Sequence, residues 1–234
     1  MRRIEFSPRL SLWVSEARDG TMKSADQHPG VPAGRAPFLL AIGAAPDRTA
    51  RVHISYNRND YCRYQTVTAA DGGAGITRPV AVADGLATRI PGLWLFLPLA
   101  DCMGTVLWDP VTEVLMLTHL GRHSVVQDGG RRSVEYLEHE FGVEARNLHA
   151  WLGPSPSGDA YPIHDRGDRA FPDVVTEQLA TAGLDAGHIV PSGIETDRDP
   201  DFFSHSEYLA GRQVTDGRHA MCVRIDESAG PQLA

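Results

Sequence analysis

The sequence predicts one α+β domain, on three observations. Two long apolar stretches, 93–102 and 104–119, read as central strands covered on both faces. Two segments, 131–143 and 171–184, carry a helical period. Strands and helices are mixed along the chain without strict alternation, with no repeat and no linker long enough to divide it.

The elements follow in order. "RLSLWVSEA" (9–17) alternates as a strand does. Residues 19–37 are rich in Gly, Pro and polar side chains and read as a long loop. "PFLLAIG" reads as a short helix stopped at Gly43, and "ARVHISYN" (50–57) as a β-branched strand. Residues 68–79 are turn chemistry again. "LWLFLPLADC" and "GTVLWDPVTEVLMLTH" supply three strands, the last two joined at Asp109–Pro110. "RRSVEYLEHEFGV" places apolar residues at 134, 137 and 141 before the stop at Gly142. "NLHAWLGPS" is a strand running into a Gly-Pro loop. "FPDVVTEQLATAGL" is a helix whose Pro172 suits a first turn. "HAMCVRI" is the last strand, and the tail near 226–234 reads as frayed. Trp94, Trp108 and Trp151 lie in strands and read as core.

Bulk properties narrow the function. At 234 residues with 42% hydrophobic and 22% charged side chains, the chain can bury a sizeable core. A net charge of -8 without a long basic run argues against non-specific nucleic-acid binding, while leaving room for a local phosphate pocket. No signal peptide is read and no apolar run approaches bilayer length. Three widely spaced cysteines, Cys62, Cys102 and Cys222, suggest free thiols in a reducing compartment, so a cytoplasmic, membrane-free location is expected.

The chemistry gathers where apolar strands end. Cys102 follows one such run and His119 closes another. A catalytic zinc takes three protein ligands and keeps one position open, and a thiolate suits zinc or Cu(I). Cys102, His119 and His53, each near the end of an apolar strand, form such a set. The same residues also permit a metal-free reading, with Cys102 as nucleophile and His119 as its base. Asp101 is a poor partner for His119, because adjacent side chains of a strand point opposite ways. His123 is a further candidate for the site. Arg122 and Arg218 are anion-binding candidates, and Ser155 and Tyr161 hydrogen-bonding ones from the "GPSPSGDAYPI" loop.

"PLADCMGTVLWDP", "THLGRHS", "WLGPSPSGDAYPI" and "DPDFFSHSEYLAGRQVTDGRHAMCVRI", in this order and spacing, resemble the laccase-domain family. Its members are also called multicopper polyphenol oxidases or purine nucleoside phosphorylases of the adenosine-phosphorylase type. The resemblance implies two packed mixed sheets flanked by helices, a fold shared with toxin deamidases that use Cys and His. It implies a metal site, zinc with copper as the alternative. The implied activity is on a purine nucleoside or similar small polar substrate, by phosphorolysis or hydrolytic deamination. The family's AHAGWRG stands here as "THLGRHS", its GPCI cysteine as Ser155, and FFSYRR as "FFSHSE" without the arginines. Its first metal-binding histidine falls in "RVHISYNRND", on His53 by chemistry or on Tyr56 by spacing from Pro46. In a regular strand these two face opposite sides. The lost arginines leave room for a different substrate, and a relative that only binds a partner is a third reading. The sequence leaves the oligomeric state open, and no set of His-x-His pairs supports true multicopper chemistry.

Overall fold

The computed structural model describes residues 1–23, 34–73 and 78–227. Its elements run β1 (Arg2–Ile4), β2 (Leu10–Val14), α1 (Arg35–Ala41), β3 (Thr49–Arg51), β4 (Tyr64–Thr66), β5 (Gly85–Thr88) and β6 (Trp94–Leu99). They continue with β7 (Met103–Asp109), β8 (Val114–Leu120), α2 (Arg122–Val126), α3 (Gly129–Phe141), β9 (His149–Leu152), β10 (Pro162–Ile163) and β11 (Arg169–Ala170). The last are α4 (Phe171–Thr181), β12 (Ile189–Pro191), α5 (His205–Leu209) and β13 (His219–Ile225).

Two mixed sheets result, one ordered β1-β2-β13-β6-β3 and the other β12-β9-β7-β8-β5-β4. Alternation sorts their side chains into layers. Leu12, Val14, Leu95, Leu97, Met221 and Val223 of the first sheet meet Val106, Trp108, Leu115, Leu117 and Trp151 of the second in one inter-sheet core. The far face of the second sheet, including Leu107 and Met116, is covered by Val134 and Leu137 of α3 and Val174, Val175 and Leu179 of α4. On the far face of the first sheet, Trp94, Phe96 and Cys222 pack against Phe38 and Leu39 of α1. The order is therefore helix, sheet, sheet, helices. This is the predicted α+β architecture, and every residue of β7 and β8 is buried, as covering on two sides requires.

The differences are local. The helix read from Pro37 begins at Arg35, inside the stretch read as loop, and residues 24–33 of that stretch lie outside those described. The strand read over 50–57 ends at Arg51, and beyond it only His53 makes a single bridge, to Val82. Two short helices, α2 and α5, occupy segments read as turn or left unread; five residues are too few to show a period. The tail read as frayed lies outside the described residues from 228, whereas Asp226 still donates its N–H to Arg9 O at 2.8 Å.

Candidate active site

The pairing of β7 with β8 sets the site. Gly104 stands opposite His119 and Met103 opposite Leu120. Residues directly opposite share a face, as do residues two apart on one strand. His119, Gly104 and Cys102 therefore point to one side, the inter-sheet side, at one end of the sheet. Gly104 adds no side chain between them; a Cβ there would lie 2.4 Å from the Met221 sulfur. Gly121 does the same from the other strand. A Cβ on it would stand 2.8 Å from Cys102 Sγ and 3.3 Å from His119 Nε2, so any larger residue displaces one of the two.

At this end the sheets part around a cavity of about 690 Å³. The end of β6 contributes Pro98 to Cys102, β8 contributes His119, α2 contributes Arg122 and His123, and the loop before β10 contributes Tyr161. Tyr56, Ser206 and Arg218 close the rest. The Tyr56 ring is 56% exposed at the rim, while its hydroxyl lies 3.5 Å from His119 Nε2 and 3.8 Å from Cys102 Sγ. Tyr56, Tyr61 and His123 form an aromatic wall: the His123 ring stacks on Tyr61 at 4.7 Å, and Tyr61 donates its hydroxyl to Tyr56 O. Arg122 lies over the Tyr161 face, 4.4 Å from its centroid, which suits a cation–π contact.

Several expected residues thus converge: Cys102, His119, His123, Tyr56, Arg122, Tyr161 and Arg218. Two do not. His53 opens on a neighbouring cavity, because its backbone is tied to residues 81–83: its N–H donates to Ala81 O and its carbonyl accepts from Ala83 N. Ser155 is buried and lines a separate cavity beyond Met103 and Leu152, its N–H bonded to Ile194 O. His53 thus stands apart from Cys102 and His119, the other two residues of the expected zinc or copper set. Among the described residues no three of His, Cys, Asp and Glu come together in a way that holds a metal ion, and Tyr56 takes the third corner. A neutral phenol is a poor substitute for imidazole as a ligand to zinc, which binds nitrogen, thiolate and carboxylate. The donor set does not fit a three-ligand site.

Burial sets the protonation states. It pushes the Cys102 thiol up to about 11 and, with His123 adding repulsion, pulls the His119 imidazole down to about 4. At pH 7 only about one His119 in a thousand carries charge. The proximity of Cys102 and then burial raise the Tyr56 phenol above its usual range. Burial raises the Tyr161 phenol to about 12. The resting site is therefore a neutral thiol, a neutral imidazole and neutral phenols, with Arg122 and Arg218 supplying fixed charge.

Sequence reasoning missed the supports. Asp101 lines the same cavity but spends its carboxylate on neighbours other than His119. Its Oδ2 accepts from the Ser206 N–H at 2.7 Å and hydroxyl at 2.9 Å, fixing α5 over the cavity. Asp84, from "VADGLAT", is buried with Oδ1 3.9 Å from His119 Nδ1, and its carbonyl accepts the His119 N–H at 2.7 Å. The side-chain contact is too long for a hydrogen bond, and His119 Nδ1 has no hydrogen-bond partner among the described residues. Burial, with Asp60 adding repulsion, raises the Asp84 carboxyl to about 7.

Two outcomes follow. An unfolded Asp titrates near 3.9, so between about pH 4 and 7 the folded chain holds the Asp84 proton that the unfolded chain has lost. Its protonated form favours folding, and that contribution is lost as pH rises through about 7. Asp84→Asn mimics the protonated form. Thermal melts should show the variant gaining on wild type from pH 4 to pH 8; a gap independent of pH contradicts the assignment. Tyr56→His supplies a third ligand, a second nitrogen beside the Cys102 sulfur. Elemental analysis after gel filtration in zinc should find about one zinc per chain in the variant and clearly less in wild type. Equal, tightly held zinc in both sinks the claim about Tyr56.

Comparison with known proteins gives the family and the fold. Residues 17–176 match the family model described as multi-copper polyphenol oxidoreductase laccase. "Purine nucleoside phosphorylase YlmD" of Bacillus subtilis is 30% identical over 170 residues, 61% of each chain. A "Purine nucleoside phosphorylase" of Deinococcus radiodurans is 31% identical over 162 residues, 69% of this chain and 55% of that one. The matches thus span about three-fifths of these relatives' length. A relative from Mycobacterium bovis is 28% identical over 86% of this chain and 82% of its own. Among solved structures, YlmD from Geobacillus stearothermophilus superposes with a TM-score of 0.80 at 19% identity, covering 94% of this chain and 93% of its own. The hypothetical protein YfiH of Bacillus licheniformis gives 0.80 at 18% identity, with 93% of each chain covered. Among the described residues no helix is long and apolar enough to cross a membrane. By the family-model match over more than half its length, the chain belongs to the multi-copper polyphenol oxidoreductase laccase, or laccase-domain, family.

Proposed function

We propose that the chain is an enzyme that cleaves a purine nucleoside, or a small polar molecule of similar shape, with phosphate in the cavity between the sheets. The convergence of Cys102, His119 and Tyr56 beside the fixed charges of Arg122 and Arg218 carries this reading. The relatives named purine nucleoside phosphorylase supply the substrate class. In phosphorolysis a phosphate oxygen bonds to the sugar carbon, the bond to the base breaks, and the base takes the electron pair and a proton.

The residues suit these demands. His119, neutral and half-enclosed by Cys102 and Tyr56, accepts a hydrogen bond at Nε2 in the tautomer that protonates Nδ1. Tyr56 holds its proton against loss and donates a hydrogen bond into the cavity. Arg122, laid flat on Tyr161, offers a cationic edge to a phosphate or a developing anion. The reading routes no step through zinc or copper, because the donor set lacks a third ligand.

The absence of that ligand favours a second reading, a metal-free Cys-His hydrolase or deamidase. Its difficulty is electrostatic. The Cys102 proton has to leave a thiol held near 11 for an imidazole held near 4, so no thiolate–imidazolium pair exists at rest.

The test is release of free base from adenosine, inosine and guanosine with orthophosphate, beside release of ammonia from adenosine and simple amides. Wild type should release base only when phosphate is present, and Cys102→Ala and His119→Ala should each lose about a hundredfold or more in kcat/KM. Ammonia release without phosphate moves the assignment to the hydrolase. Turnover undiminished in both variants removes the site altogether.

A further inference from the structure

The cleavage delivers a proton to the departing base, and the groups beside Cys102 are poorly suited to carry it. Burial pushes the Cys102 thiol up to about 11 and the Tyr161 phenol up to about 12. Burial, with His123, brings the His119 imidazole down to about 4. Such groups keep or refuse a proton at neutral pH rather than pass it on. Histidine is the side chain suited to that exchange. Two further imidazoles line the cavity, His123 and His205. His123 is engaged by its face, stacked on Tyr61 at 4.7 Å. His205 is held by its edge.

His205 opens α5 in "FFSHSE", where the family pattern sets FFSYRR, so the imidazole is a departure of this chain. Two anchors fix it. The Ser206 N–H donates to Asp101 Oδ2 at 2.7 Å, which seats the start of α5 beside the Cys102 strand end. On the other side, His205 Nδ1 lies 2.9 Å from Asp216 Oδ1. Asp216 also accepts from Lys23 Nζ at 2.5 Å and from Arg218 Nη1 at 2.7 Å. Burial alone would raise its carboxyl, but the hydrogen bonds from Lys23, Arg218 and His205 outweigh burial and hold it well below the usual carboxylate range. An ionised carboxylate only accepts, so Nδ1 is the donor. The neutral ring is thereby locked in one tautomer, with the lone pair on Nε2. His205 lines the cavity with its side chain 44% exposed, whereas Asp216 is not among the lining residues. The bond to Asp216 therefore leaves Nε2 as the nitrogen that can meet a ligand. Asp101 already ties α5 down, so what the Asp216 contact adds is the direction of the ring.

We propose that His205 is the proton carrier of the Cys102 cavity and that Asp216 is the positioning residue that fixes its tautomer. As a phosphate oxygen bonds to the sugar carbon, the bond from that carbon to the base breaks and its electron pair goes to the base. Nε2 takes the proton of the phosphate hydroxyl and passes it to a base nitrogen. His205 ends as it began, and no further reactant is consumed. This step rests on the phosphorolysis reading; the oriented pair of His205 and Asp216 does not.

The experiment reads base release from adenosine, inosine and guanosine with orthophosphate, beside ¹⁵N NMR of the histidine rings in the same full chain. His205→Ala should lose about a hundredfold or more in kcat, with KM for the nucleoside within about threefold. Added imidazole should restore about tenfold or more of that loss, which it cannot do for a side chain that only packs. His205→Gln, whose amide still reaches toward Asp216 but carries no proton between substrates, should be as slow as His205→Ala. Either variant keeping kcat within about threefold of wild type overturns the proposal, as does a loss that imidazole leaves untouched. The NMR reads the pair without turnover. The neutral His205 ring, identified by its absence from the His205→Gln spectrum, should carry its proton on Nδ1. Asp216→Asn should release it to a mixture of tautomers. A mixture already present in wild type overturns the pair. A wild type that splits no nucleoside yet shows the Nδ1 tautomer keeps the pair and removes the phosphorolysis reading with the step assigned to it.

Discussion

The antiparallel register between β7 and β8 is the constraint on which the site depends. It puts the residue before one strand and the penultimate residue of the other at one end and on one face. The face is the inter-sheet one, so the pair is carried by the best-packed part of the molecule. Cys102 and His119 are thereby held by buried strands on which a loop movement has little hold. Gly121, which follows β8, keeps the space beside Cys102 and His119 clear, and Gly104 leaves room for Met221 and Leu99.

Burial on that face also decides the electrostatics. A carboxylate, thiol and imidazole taken from water all favour their neutral forms, and here Asp84, Cys102 and His119 shift in that direction together. Fixed charge is left to arginines at the rim. In the Cys102 cavity that charge comes from Arg122 and Arg218. Tyr56 belongs to both cavities. Its phenol touches the neutral pair on one side, and its ring forms part of the wall of the other.

Much of this was legible in the sequence, where strong physical signals coincide. The runs 93–102 and 104–119 are largely apolar on both faces of each strand, as central strands of a covered sheet are. Placing Cys102 and His119 at their ends then followed. His53 and Tyr56 were set on opposite faces by treating 50–57 as one regular strand. The strand ends at Arg51, so the alternation that separated His53 from Tyr56 had no ladder to enforce it. Spacing from Pro46 pointed to Tyr56, and ligand chemistry pointed to His53; in the fold His53, tied to residues 81–83, lines the neighbouring cavity, and Tyr56 lines both. Asp84 and Ser206 carried no local signal, because each matters through a partner far along the chain.

The central claim is that the fold holds His119 as a buried neutral acceptor against Cys102 and Tyr56. The most direct measurement is a pH titration of the histidine ring nitrogens by ¹⁵N NMR, with His119 identified by its absence from a His119→Gln spectrum. The account predicts that His119 stays neutral down to about pH 4, the value to which burial and His123 bring it. Titration near 6.5, the value of an exposed histidine, would show a hydrated, mobile ring and would contradict the account.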